Sequence, residues 1–275
     1  MARSDVAARL DLCQLYSPRC RPAQIAAGPD GVLWFTLTAE NCIGRITTGG
    51  HAMIESPLQA LCANSTGVRG YPPEPWVLRG QMHLTAWRVP AASLPRLSAG
   101  LEPLRVGGAL AVTAWAIYEP GGVLSYRELL VAVLAHRGMR PLVTITNIWV
   151  DSVPSLHGGR ELWGIPKQRA SFHIDRATCD IDRATCDAVD DHGEPIASAA
   201  VQSLGALPGR WRAGATVAQQ RTGKLVFIPV RATSGIRLIL ISWEFAAGGP
   251  LAWLAGARPI CSASLRNFTV RFGRR

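Results

Sequence analysis

Lysine is rare in this chain. Of its 29 basic side chains only Lys167 and Lys224 are lysines, and the other 27 are arginines. Chemistry that needs a side-chain primary amine therefore has two candidates. Lys167 closes the run Gly159-Arg160-Glu161-Leu162-Trp163-Gly164-Ile165-Pro166-Lys167. An ordinary surface lysine has a pKa near ~10.4, so it is protonated and not a nucleophile. Here bulky Leu162, Trp163 and Ile165 precede the amine, Gly164 breaks the run and Pro166 stiffens it. Burial against such groups disfavours the ammonium form and lowers the pKa. A neutral amine attacks a ketone to give a Schiff base, and the protonated imine then serves as an electron sink. A plainer reading fits the same residues: a lysine at a strand end whose aliphatic stem carries its charge out to water. The local sequence leaves both open.

Few other groups compete for a chemical role. Seven cysteines, Cys13, Cys20, Cys42, Cys62, Cys179, Cys186 and Cys261, are odd in number and irregularly spaced, with no CxxC pair. Zinc would call for close Cys or His pairs, which the six histidines do not supply, so neither metal nor cofactor is expected. The net charge of +10 is scattered singly along the chain, without a Lys/Arg block or an aromatic-interleaved basic motif, which argues against nucleic acid as a partner. No stretch approaches the ~18 apolar residues of a membrane span. The first 21 residues are interrupted by Asp5, Arg9, Asp11 and Arg19 and lack the apolar core of a secretory signal. The expected location is cytoplasmic, with the thiols reduced.

The elements around Lys167 read mostly as strands. Strand-like runs cover 79–89, 109–118, 142–150, 170–174, 224–230, 236–245 and 262–272. Several alternate apolar with polar residues, as Met82-His83-Leu84-Thr85-Ala86-Trp87 does. The run 126–136 reads as the clearest helix, with Ser125 as N-cap and Gly138 as stop. Many strands with one or two helices predict an α+β fold, mostly antiparallel β and barrel-like, over residues 71–275. Within it a heptad is copied once, Ile174-Asp-Arg-Ala-Thr-Cys-Asp180 followed by Ile181-Asp-Arg-Ala-Thr-Cys-Asp187. It is too short and too polar for a coiled coil and is expected to lengthen a hairpin or loop. Cys179 and Cys186 would pair only if a turn brought them together.

With the strands in place, the stretch around Lys167 resembles the lysine motif of the acetoacetate decarboxylase family. That motif is Gly-Arg-Glu, a few apolar residues, then Pro-Lys, present as Gly159-Arg160-Glu161 and Pro166-Lys167. The resemblance extends from about Pro72 to the C-terminus. It implies a barrel-like domain and makes Lys167 the Schiff-base lysine, a family example of an activated lysine that is itself well known. It also implies that Arg79, in Pro75-Trp-Val-Leu-Arg-Gly, lies near the substrate carboxylate. Glu128, in Ser125-Tyr-Arg-Glu-Leu, becomes the active-site glutamate that holds a water, orients Arg79 or helps protonate an enamine. The plain readings are an exposed strand arginine and an acid in the first turn of a helix. Trp163 and Arg169 are further candidates for substrate contact, while Arg160 and Glu161 are expected to lock the lysine loop.

One position departs from the family pattern. Acetoacetate decarboxylases carry a second lysine directly after the first, and here Gln168 stands there. A neutral amide supplies no neighbouring positive charge. Arg169 would face the same side as Lys167 in an extended segment and could substitute for it. The resemblance thus implies a carbon–carbon lyase that decarboxylates a small β-keto acid and assembles as a homo-oligomer. Alternatives are a Schiff-base aldolase or dehydratase of the same superfamily, or a non-catalytic keto-acid-binding protein.

Residues 1–70 have a different texture. Gly28-Pro29-Asp30-Gly31 and Gly49-Gly50 are turn signals around strands at 32–38 and 43–46. Residues 23–57 resemble one blade of the streptogramin (virginiamycin B) lyase β-propeller. A propeller needs several blades and no second copy is present, so this part reads as a fragment in which lyase activity is a remote expectation.

Overall fold

The computed structural model describes residues 22–27, 33–37, 42–46, 52–55, 70–176 and 183–274. The chain divides into two compact units, Met1–Gly70 and Tyr71–Arg275. In the first, β1 (Pro22–Ala27), β2 (Leu33–Leu37), β3 (Cys42–Ile46) and β4 (Ala52–Glu55) form an antiparallel sheet in sequential order. The turn residues predicted at Gly28–Gly31 and Gly49-Gly50 lie outside the described residues. The blade-like resemblance of residues 23–57 therefore rests on the sequence pattern.

The second unit is mostly antiparallel β with one α-helix among the described residues. Its strands are β5 (Trp76–Val89), β6 (Glu102–Pro103), β7 (Ala109–Tyr118), β8 (Tyr126–Arg137), β9 (Arg140–Val150) and β10 (Lys167–Arg176). They continue as β11 (Arg183–Asp190), β12 (Pro195–Ala206), β13 (Trp211–Arg221), β14 (Lys224–Phe245) and β15 (Arg258–Phe272). From β9 the pairings run through β13, β14, β15, β5, β7 and β8 and return to β9. A circuit of this kind leaves few open edges, and every strand in it can bury a face inside. β10, β11 and β12 form a second arc from β9 to the far half of β14.

Strand β8 corrects the sequence reading most sharply. The expected helix at 126–136 is a strand, and Gly138 is not a helix stop. It opens a two-residue loop to β9 at φ 57°, with Arg137 paired to Arg140. The reason is burial on both faces. Leu129, Val131 and Val133 enter a core built around Trp87, Trp115 and Trp149, while Glu128, Leu130 and Ala132 face an internal cavity. A strand buried on both sides loses its polar alternation and reads as a continuous apolar run, which periodicity alone does not separate from a helix.

The actual helix, α1 (Val153–Trp163), carries Pro154, Gly158 and Gly159, all poor helix formers, so propensity conceals it. Its ends are nonetheless specified. The Ser152 side chain accepts from the Ser155 backbone N–H at 3.3 Å, and Gly164 takes the left-handed conformation at φ 68° and donates its N–H to the Arg160 carbonyl. The helix is the crossover between β9 and β10, which pair in parallel with Lys167 beside Ile148.

Other differences have equally local causes. The two strands expected at 224–230 and 236–245 are one strand, β14, with a register shift between Thr233 and Gly235 where the sequence suggested a break. Strands β12 and β13 escaped notice because Ala, Ser, Gly and Gln dominate them. The duplicated heptad straddles the β10–β11 hairpin, where Ile174 pairs with Cys186. Cys179 lies outside the described residues.

Candidate active site

Lys167 is the first residue of β10, immediately after the turn that ends α1. The residue is 3% exposed and Glu128 is equally buried. The ammonium nitrogen Nζ lies 2.9 Å from Glu128 Oε2, 2.8 Å from Ser155 Oγ and 3.3 Å from Tyr126 OH. A buried charge of either sign is tolerated only when paired and hydrogen-bonded, and this pair is both.

Glu128 is held in turn from the other side. Tyr118 OH donates to Oε1 at 3.0 Å and Tyr126 OH to Oε2 at 3.3 Å. Tyr118 and Tyr126 are direct cross-strand partners on β7 and β8, with ring centroids 4.4 Å apart. Burial, and after it the adjacent Glu128 carboxylate, pushes both phenols well above the usual tyrosine value. They therefore stay protonated and keep donating to the carboxylate.

Helix α1 supplies the opposite wall. Ser155, Gly158 and Gly159 are spaced three and four residues apart and share one face. A Cβ on Gly159 would lie 2.7 Å from Lys167 Cδ and 2.8 Å from Cε, and one on Gly158 would strike the Trp76 ring. The glycine pair is thus what lets the helix backbone lie against the lysine stem. Arg160 fixes the main chain at the same point, its Nε donating to the Lys167 carbonyl at 2.7 Å. Glu161 turns away and accepts from Tyr71 OH at 2.6 Å.

The cluster stands at one end of a cavity of about 260 Å³ whose walls come from β5, β8, β9, β13, β14 and β15 and from the end of α1. Trp163 lines it and is anchored by its indole N–H, which donates to Glu74 Oε2 at 2.9 Å. A bulge in β9 shapes the wall: Thr146 is skipped in the pairing with β8, so that both Ile145 and Ile148 face inward.

The structure does not bring the two arginines here. Arg79 is exposed between the inward-facing Leu78 and Gly80 of β5, and it is not among the cavity's walls. Arg169 is exposed, lies 3.9 Å from Asp191 and is not among the cavity's walls. Tyr118, Tyr126, Ser155 and Trp76 were not singled out in the sequence. With 126–137 read as a strand, the i, i+2 spacing of Tyr126 and Glu128 would have placed them on one face. Ser155 carried no comparable signal, because its helix was hidden.

The chain matches the family model of acetoacetate decarboxylase (ADC) over residues 60–237, well over half its length. It belongs to the acetoacetate decarboxylase family. Among solved structures, acetoacetate decarboxylase from Legionella pneumophila superposes with a TM-score of 0.58 at 14% identity, over 80% of this chain and 94% of that one. An acetoacetate decarboxylase-like enzyme from Sphingomonas wittichii RW1 gives 0.56 at 15% identity, over 76% and 98%. The enduracididine biosynthesis enzyme MppR, complexed with pyruvate, gives 0.54 at 20% identity, over 76% and 90%. At these identities the superpositions speak to the fold. No curated protein matches the chain.

Proposed function

We propose that this family member is a Schiff-base lyase acting on a keto acid through Lys167. The observation carrying the proposal is the 2.9 Å contact between Lys167 Nζ and Glu128 Oε2 at the end of an apolar cavity. Transfer of one proton from Lys167 to Glu128 leaves an amine free to attack a ketone carbon. Protonated Glu128 then returns the proton to the carbinolamine oxygen, which departs as water and leaves the iminium. For a β-keto acid, the bond to the carboxylate breaks, CO₂ leaves and its electron pair forms the enamine. Glu128, once more a carboxylate, takes a proton from water and passes it to the enamine carbon; a further water then hydrolyses the iminium to release the ketone and the amine. The apolar walls assist by stripping water from the carboxylate before it is lost. Neither metal nor cofactor enters this scheme.

A second reading, aldol-type condensation or dehydration through the same iminium, is favoured by one observation. Among the described residues Lys167 is the only cation lining the cavity, so no guanidinium grips a substrate carboxylate there. MppR, which shares the fold, has been solved with the condensation product of pyruvate and imidazole 4-carboxaldehyde. A homo-oligomer is part of the proposal; Leu204, Leu238 and Leu240 give β12 and β14 an exposed apolar face that a second copy would cover.

Borohydride reduction in the presence of acetoacetate or pyruvate tests the common step. Mass spectrometry should place a reduced adduct on Lys167. Absence of any adduct, or full activity in Lys167→Ala, would sink imine catalysis. Release of CO₂ against formation of a condensation product separates the two readings.

A further inference from the structure

The polar groups of the cavity are gathered at one end. Lys167, Glu128, Tyr118 and Tyr126 line that end and bond to one another. Farther in, the walls are aliphatic. On β8 the inward residues are Glu128, Leu130 and Ala132, and at ~3.3 Å per residue the last lies about 13 Å along the strand from the first. Met82, Val143, Val217 and Leu265 complete this deeper part, and none carries a hydrogen-bonding side chain. Ala132 and Ala232 keep room open where larger residues would fill it.

A hydroxyl, amide or charge moved into the deeper part would lose its water and find no side-chain partner. A hydrocarbon chain would gain from the same transfer. Acetoacetate carries only a methyl group beyond its ketone and would leave this region unused.

We propose that the substrate carries a medium-length aliphatic tail on the far side of its ketone carbonyl. The tail lies along Leu130, Ala132 and Val143 while the carbonyl carbon meets Lys167. The inference rests on the imine reading above and deepens it by naming the substrate class. It sets selectivity by apolar length, with no charged contact to the tail.

The experiment is a chain-length series in two formats. In the first, kcat/KM is measured for acetoacetate, β-ketohexanoate, β-ketooctanoate and β-ketodecanoate. It should rise roughly fourfold per added methylene until the cavity is full. Ala132→Leu, which shortens the cavity, should lower the ratio of long-chain to short-chain kcat/KM. In the second, saturated methyl ketones of the same lengths are titrated calorimetrically into the unmodified protein and into Lys167→Met, which forms no imine. Affinity should tighten with length in both. Affinity and kcat/KM that stay flat or fall beyond the shortest member overturn the tail proposal, even if borohydride still labels Lys167. Affinity that tightens with length while no reduced adduct forms keeps the tail site and removes the imine reading instead.

Discussion

Lys167 and Glu128 belong to strands separated by β9, yet their charged atoms meet. Lys167 pairs with Ile148, and Glu128 pairs with Val150 two residues farther along the same strand. Both side chains point inward, so the short step across β9 brings Nζ and Oε2 to 2.9 Å. The parallel β9–α1–β10 crossover is what makes this possible. It returns the chain beside β9 with Lys167 as the first residue paired to that strand, so the lysine enters the sheet within two residues of the carboxylate's level.

Removing the carboxylate charge should therefore affect turnover more than binding. Glu128→Gln keeps the shape and one carbonyl acceptor, which can still serve Lys167 and Tyr126, but it cannot shuttle a proton. Its kcat should drop about a hundred- to ten-thousandfold, the usual weight of general acid–base catalysis, with KM changed much less. Steady-state kinetics with circular dichroism as a fold control checks this. A rise in KM at constant kcat would reduce Glu128 to a structural partner.

Gly159→Ala should destabilise the protein although alanine is the better helix former. In an exposed helix the change would gain about 1 kcal/mol. Here the new Cβ meets Lys167 Cδ at 2.7 Å, and Gly158 is pressed against Trp76, so the helix has nowhere to retreat. A loss of about 1–3 kcal/mol is expected from overpacking. Thermal unfolding reads the stability, and slower borohydride trapping reads the displaced amine.

Alkali should expose the tyrosine pair. The folded-state pKa values of Tyr118 and Tyr126 are raised, first by burial and then by Glu128. Their contribution to stability is thus fully present below the unfolded value near ~10 and is lost as pH rises from there toward the folded values. Unfolding followed by denaturant between neutral and strongly alkaline pH should show this decline. The double variant Tyr118→Phe, Tyr126→Phe should flatten it, and an unchanged slope in that variant would refute the assignment.

Arg79→Ala offers a negative control with a definite outcome. The side chain is exposed and does not line the cavity. Stability should stay within about 0.5 kcal/mol, as for surface changes generally, and kcat/KM should stay at the parent level. A large fall in kcat/KM would show that the arginine implied by the family motif acts on the substrate after all.

The sequence alone singled out the candidate amine and the residues that lead to it. Two lysines in the whole chain, one of them after Gly-Arg-Glu and a Pro, were enough to single out Lys167 and, through the family motif, Glu128. Those features are local: residue type and spacing along one stretch. The strand-rich fold class was equally legible wherever one face alternates with the other, as in β5 and β15. Tertiary structure decided the rest. It made 126–137 a strand because both of its faces are buried, which erases the pattern that periodicity depends on. It made 153–163 a helix despite a proline and two glycines, because only glycine lets that backbone approach Lys167 and Trp76. It left Arg79 and Arg169 outside the cavity and brought in Tyr118, Tyr126 and Ser155. Which face of a strand points inward depends on pairing with strands far away in sequence, and no local pattern records that.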